Sequence, residues 1–95
     1  MVVGVARVTL ILHASNSLKD KRQVLKSVIE KVKNKFNVSV AEVGGNDVWQ
    51  RAEIGITAVG NDRAFVNSVL DKVLNFIEGL HLAEVTDSEI EIVNF

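Results

Sequence analysis

The chain has 95 residues, 47% of them hydrophobic, which gives room for one domain around one core and none for a second. It contains no cysteine, so disulfides, thiolate zinc sites, iron–sulfur clusters and cysteine nucleophiles are excluded and packing alone must hold the fold. The net charge of −1 argues against a general polyanion binder, and no apolar run reaches the roughly 18 residues of a membrane span, because Arg7, Asn16 and the lysines after it interrupt the longest candidate.

Residues 2–12 alternate as a strand, with Val2, Gly4, Ala6, Val8, Leu10 and Leu12 on the side expected to face the core. Arg7 and the lack of a basic segment ahead of it separate this stretch from a secretory signal, so a soluble, cytoplasmic protein is expected. Ser15-Asn16-Ser17 supplies helix-capping chemistry, and Ser17 with Asp20 three residues on fits a relaxed capping box, so a helix starts near Leu18. Leu18, Leu25, Val28, Ile29, Val32 and Phe36 then recur at helical spacing, while Lys19, Arg22, Gln23, Lys26, Glu30 and Lys33 share the opposite side.

Residues 36–43 alternate again and run into Gly44-Gly45-Asn46-Asp47, a turn cluster, after which a strand over 48–59 sets Ala52, Ile54, Ile56 and Ala58 on one face. The two strands read as a hairpin. Gly60-Asn61-Asp62 breaks the alternation and caps a second helix, striped by Val66, Val69, Leu70, Val73, Leu74 and Ile77 and ending before Gly79. The tail from Leu82 to Val93 carries Val85, Ile90 and Ile92 around a polar Thr86-Asp87-Ser88, which fits one bulged strand or two short ones. The order βαββαβ predicts an α+β ferredoxin-like sandwich, a four-stranded antiparallel sheet with both helices on one face, and a single domain over residues 1–95.

The uncovered sheet face is then expected to carry Val3, Val5, Arg7, Thr9 and Ile11 with Ser39, Ala41, Val43, Trp49, Arg51, Glu53, Thr57 and Val59. That is too apolar for water and too charged for a core, the composition of a partner surface, and a homodimer is the expected use. Arg7, Trp49, Arg51 and Glu53 are its candidate interface residues.

Charge is unevenly spread. Over residues 18–35 seven cations face two carboxylates, +5, which leaves −6 on the remainder. Lys19, Lys21 and Arg22 stand at a helix N-terminus, where the macrodipole opposes them and free N–H groups attract anions. Ser15, Ser17, Lys19, Lys21, Arg22 and Lys26 are therefore the candidate anion- or RNA-binding residues. Lys21 falls on the apolar side of the helical wheel and is expected to project past the sheet edge. Base stacking on the open sheet is disfavoured because only Trp49 supplies an aromatic ring there, so RNA contact would rest on phosphate charge and weaken with salt.

Catalysis finds no support. His13 and His81 are far apart in sequence without a second ligand at helical spacing, so no metal site is expected. A triad built from His13 and nearby serines lacks a nucleophile elbow, nothing fixes the separations among Glu42, Asp47 and Glu53, and glycine-rich phosphate loops are absent. No cofactor is expected.

The stretches Ser17-Leu18-Lys19-Asp20-Lys21-Arg22-Gln23-Val24-Leu25, Phe36-Asn37-Val38-Ser39-Val40-Ala41-Glu42-Val43 and Trp49-Gln50-Arg51-Ala52 resemble the YlxP-like family of small bacterial proteins, a domain of unknown function. The resemblance spans nearly the whole chain. It implies a ferredoxin-like fold and a bacterial cytoplasmic protein with no established activity and no catalytic residues to carry over. It also tilts the expectation toward an RNA- or ribosome-associated role, with binding of a small anionic metabolite at the N-terminus of the first helix as the alternative.

Overall fold

Period-two alternation and period-3.6 stripes each produce the element they specify. In chain order these are β1 (Val2–Ile11), α1 (Leu18–Lys35), β2 (Ser39–Gly44), β3 (Arg51–Gly60), α2 (Arg63–Gly79) and β4 (Glu84–Asn94). The computed structural model describes residues 1–46 and 48–95, so Asp47 of the expected turn cluster lies outside the described residues. The strands order β2-β3-β1-β4 with every neighbouring pair antiparallel, the ferredoxin-like arrangement expected.

Both helices lie on one sheet face, α2 over β3, β1 and β4, and α1 over β2 and against α2. Between the layers, Ala6, Val8, Leu10 and Leu12 join Ala52, Ile54, Ile56 and Ala58, with Leu25, Val28 and Val32 of α1 and Val66, Leu70, Val73 and Ile77 of α2 above them. At Gly4 the approach is so close that a Cβ would sit 2.5 Å from Val66 Cγ1 and 2.8 Å from Leu70 Cδ1, so α2 settles onto β1 only because the side chain is missing.

Capping follows the sequence. Ser17 Oγ accepts from the Asp20 N–H at 3.1 Å, and Asp62 Oδ2 accepts from the Phe65 N–H at 3.0 Å, each relieving a donor that the helix cannot satisfy internally. Two boundaries differ from expectation by three residues. β2 begins at Ser39, because α1 runs on to Lys35 and Phe36 closes it, packing edge-on against Phe76 with centroids 5.5 Å apart. β3 begins at Arg51, which leaves Trp49 in the preceding loop rather than on the strand.

The tail is one strand with a bulge. Leu10 pairs with Val85 and Thr9 with Asp87, so Thr86 is the extra residue. Val85 and Ile90 are five apart and would face opposite ways on a regular strand. The bulge shifts the phase by one, so both sit on the helix side of the sheet, as do their β1 partners Leu10 and Ala6.

Candidate functional site

Only part of the predicted anion site stays free at the start of α1. Ser17 is used as the N-cap, and Asp20 Oδ2 accepts from the Asn16 N–H at 3.1 Å, so the first turn already holds a carboxylate of its own chain. Ser15 is 2% exposed, its carbonyl accepts from the Gln50 side-chain amide at 3.2 Å, and its hydroxyl has no hydrogen-bond partner.

Lys21 corrects the sequence expectation. Rather than projecting past the sheet edge it is 2% exposed, with Nζ 3.2 Å from Glu42 Oε2 and donating to the carbonyl oxygen of Gly45. The ammonium meets Glu42 Oε2 off the hydrogen-bonding direction, so that oxygen has an ion contact without an aligned hydrogen bond. Glu42 pairs with Ile54 on the helix-facing side of β2. A lysine on the apolar stripe of α1 and a carboxylate on the core side of β2 each break the binary pattern, and each is the reason the other is tolerated. Lys21 thus ties α1 to the β2–β3 connection and is unavailable to an external anion.

Lys19, Arg22, Lys26 and Lys33 are exposed along the outer face of α1, and none of them forms a salt bridge among the described residues. Lys35 instead lies over the Phe76 ring, 5.2 Å from its centroid.

Apart from Trp49, the open sheet face carries its expected residues, and it has one feature not anticipated. Cross-strand partners share a face, and β4 pairs Glu84 with Ile11, Asp87 with Thr9, Glu89 with Arg7 and Glu91 with Val5. Four carboxylates therefore line one edge of this face. Arg51 and Glu53 pair within β3 at 2.9 Å, while Arg7, at the centre, has no ion pair among the described residues. Trp49 is 54% exposed in the loop beside β3.

Antiparallel pairing also brings together two residues separated in sequence. His13 and His81 line one open depression of about 530 Å³ with Glu78, Glu84, Ile11 and Val85, and His13 Nε2 lies 3.3 Å from Glu84 Oε2. Pairing of β1 with β4 was the missing signal. Among the described residues no group of three or more His, Cys, Asp or Glu side chains is placed to hold a metal ion.

Fold and surface together define the class: a ferredoxin-like α+β sandwich with a basic first helix and an open sheet face edged by carboxylates. Among the described residues no helix is long and apolar enough to cross a membrane. The chain belongs to the family described as "Protein of unknown function (DUF503)", whose model matches residues 3–90. It is 41% identical over 90 residues to the uncharacterized protein YlxP of Bacillus subtilis (strain 168), covering 95% of this chain and 98% of that protein. No function is assigned to that family, and the resemblance read from the sequence is confirmed.

Solved structures are similar in fold alone. The structural-genomics protein YJCS has a TM-score of 0.61 at 13% identity, covering 97% of this chain and 99% of that one. A de novo designed protein with ferredoxin fold, LFR1, gives 0.58 at 16% identity, covering 96% and 85%. An antibiotic biosynthesis monooxygenase gives 0.53 at 12%, covering 100% and 98%. One backbone thus serves an enzyme and a design alike, so activity has to be argued from side chains.

Proposed function

We propose that this is a non-enzymatic binding protein that grips RNA phosphate, free or in a ribosomal particle, with the outer face of α1. The observation that carries the reading is the row of exposed cations Lys19, Arg22, Lys26 and Lys33, unpaired among the described residues. At 1.5 Å per residue it is roughly 21 Å long, enough to follow several phosphates. The charge of the sheet supports the same side: Glu84, Asp87, Glu89 and Glu91 repel phosphate from the open face and leave the helix layer as the attractive surface. Electrostatics thus joins the scarcity of aromatic rings in disfavouring base stacking on the sheet.

Sedimentation with ribosomal subunits and total RNA across a salt series tests it. Four phosphate contacts give a slope of about −2.8 in log affinity against log salt, roughly a 50-fold loss between 50 and 200 mM. Alanine at Lys19, Arg22, Lys26 and Lys33 together is expected to abolish binding with the fold intact. Unchanged binding by that variant, or binding indifferent to salt, sinks the reading. Lys21 is left out of the set because its loss perturbs packing.

One observation favours a second reading, capture of a small anionic metabolite at the N-terminus of α1: the buried, unpartnered hydroxyl of Ser15 beside that terminus. A ligand at 100 times its dissociation constant adds about 2.7 kcal/mol and raises the melting temperature by roughly 10–20 °C. A metabolite panel that leaves the melting temperature unmoved removes this reading.

A further inference from the structure

The open sheet face offers an apolar row and a cation, Arg7, unpaired among the described residues, and their positions restrict what can cover it. Val59, Val3 and Val93 are register partners across β3, β1 and β4, so they form a continuous valine row at one end. Val59 and Val93 are 61% and 42% exposed. Midway along the face Ala41, Gly55, Arg7 and Glu89 form a second row across all four strands. Ala41 and Gly55 are the smallest residues of this row, and Val43 covers Gly55 with Cγ1 3.0 Å from where a Cβ would stand.

We propose that a second copy of the chain covers this face, packed sheet to sheet about a twofold axis that runs parallel to the strands. A twofold relating two facing sheets must lie in the plane between them. Running across the strands, it would set β4 against the partner's β4, carboxylates opposing carboxylates, and the valine row against the Arg51 end. Running along the strands, it preserves position along each strand and exchanges β1 with β3 and β4 with β2. The valine row then lies on the partner's valine row. Arg7 lies over the partner's Gly55 and the Val43 side chain that covers it, next to the partner's Glu53. The acidic edge of β4 falls on the neutral Ser39, Ala41 and Val43 of the partner's β2, and both basic α1 faces remain outside.

The area suffices. With about 4.8 Å between strands and about 3.3 Å per residue the face spans roughly 600 Å² per copy, which brings two copies to the lower end of the class of stable interfaces. The inference stands independently of the RNA reading, since it uses the opposite face.

Analytical ultracentrifugation across a concentration series is expected to show a dimer, with Arg7→Glu and Val59→Lys shifting it to monomer while their circular dichroism matches the original chain. Orientation is read with engineered cysteines, which are clean because the chain has none. Sheets packed about 10 Å apart are beyond a disulfide, so a short bismaleimide is the linker. The Ala41→Cys/Glu89→Cys double variant is expected to crosslink between chains, and each single variant is not. A monomer at every concentration overturns the proposal, as does a dimer indifferent to Arg7→Glu and Val59→Lys. Efficient crosslinking of Glu89→Cys alone overturns the axis.

Discussion

Glu42→Ala removes the only carboxylate that, among the described residues, is paired with a buried ammonium. Lys21 is 2% exposed and its Nζ lies 3.2 Å from Glu42 Oε2, so at an effective dielectric of about 20 the Coulomb attraction is roughly 5 kcal/mol before desolvation is counted. Glu42 is 28% exposed and the Gly45 carbonyl remains as an acceptor, which lowers the expected cost to about 2–4 kcal/mol, within reach of measured losses for broken buried pairs. For a domain of this size that is a fall of roughly 10–30 °C in melting temperature. Urea denaturation measures it, with an unchanged m-value showing that the unfolded state is not the cause.

Two comparisons sharpen the test. Arg51→Ala breaks a pair whose members are 47% and 27% exposed and is expected to cost no more than about 1 kcal/mol. Lys21→Met with Glu42→Leu replaces both charges by apolar groups and is expected to be near neutral or stabilising by about 1–4 kcal/mol, because both desolvation costs vanish together. If Glu42→Ala costs no more than Arg51→Ala, or if the double replacement is as damaging as the single one, the argument that Lys21 and Glu42 exist for each other fails.

Other expectations rest on single contacts. Gly4→Ala drives a methyl into Val66 and Leu70 and is expected to lose about 1–3 kcal/mol by urea denaturation. Asp62→Ala removes the acceptor for the Phe65 N–H and is expected to cost about 1 kcal/mol, with faster amide exchange confined to the first turn of α2. His81 holds φ at 55°, where a side chain costs about 1–2 kcal/mol, so His81→Gly is expected to raise stability by up to about 1 kcal/mol and His81→Val to lower it, both read as shifts in melting temperature.

Much of the fold was legible because the patterns are local. Alternation in residues 2–12 and 48–59 and the stripes of both helices identify the elements and nearly all of the core, and Ser17 and Asp62 mark the helix starts. Phe36 was less readable, since an apolar residue at a helix end fits the helix stripe and a following strand equally well. Lys21 is visible in the sequence as a break in the apolar stripe, but the stripe does not show that it is buried against Glu42. Its partner lies on another element, and Glu42 viewed alone is an ordinary carboxylate near a hairpin.

Composition and periodicity by themselves determined the βαββαβ order, the basic stripe of α1 and an open sheet face, because each depends only on residues a few positions apart. Tertiary structure alone decided which charges are free. Pairing of β4 with β1 placed four carboxylates beside Arg7 and brought His13 near His81, and the bulge at Thr86 put Val85 and Ile90 on one side. Packing of α1 over β2 withdrew Lys21 from solvent. Those outcomes follow from register and helix placement, which join residues far apart along the chain and leave no periodic trace within it.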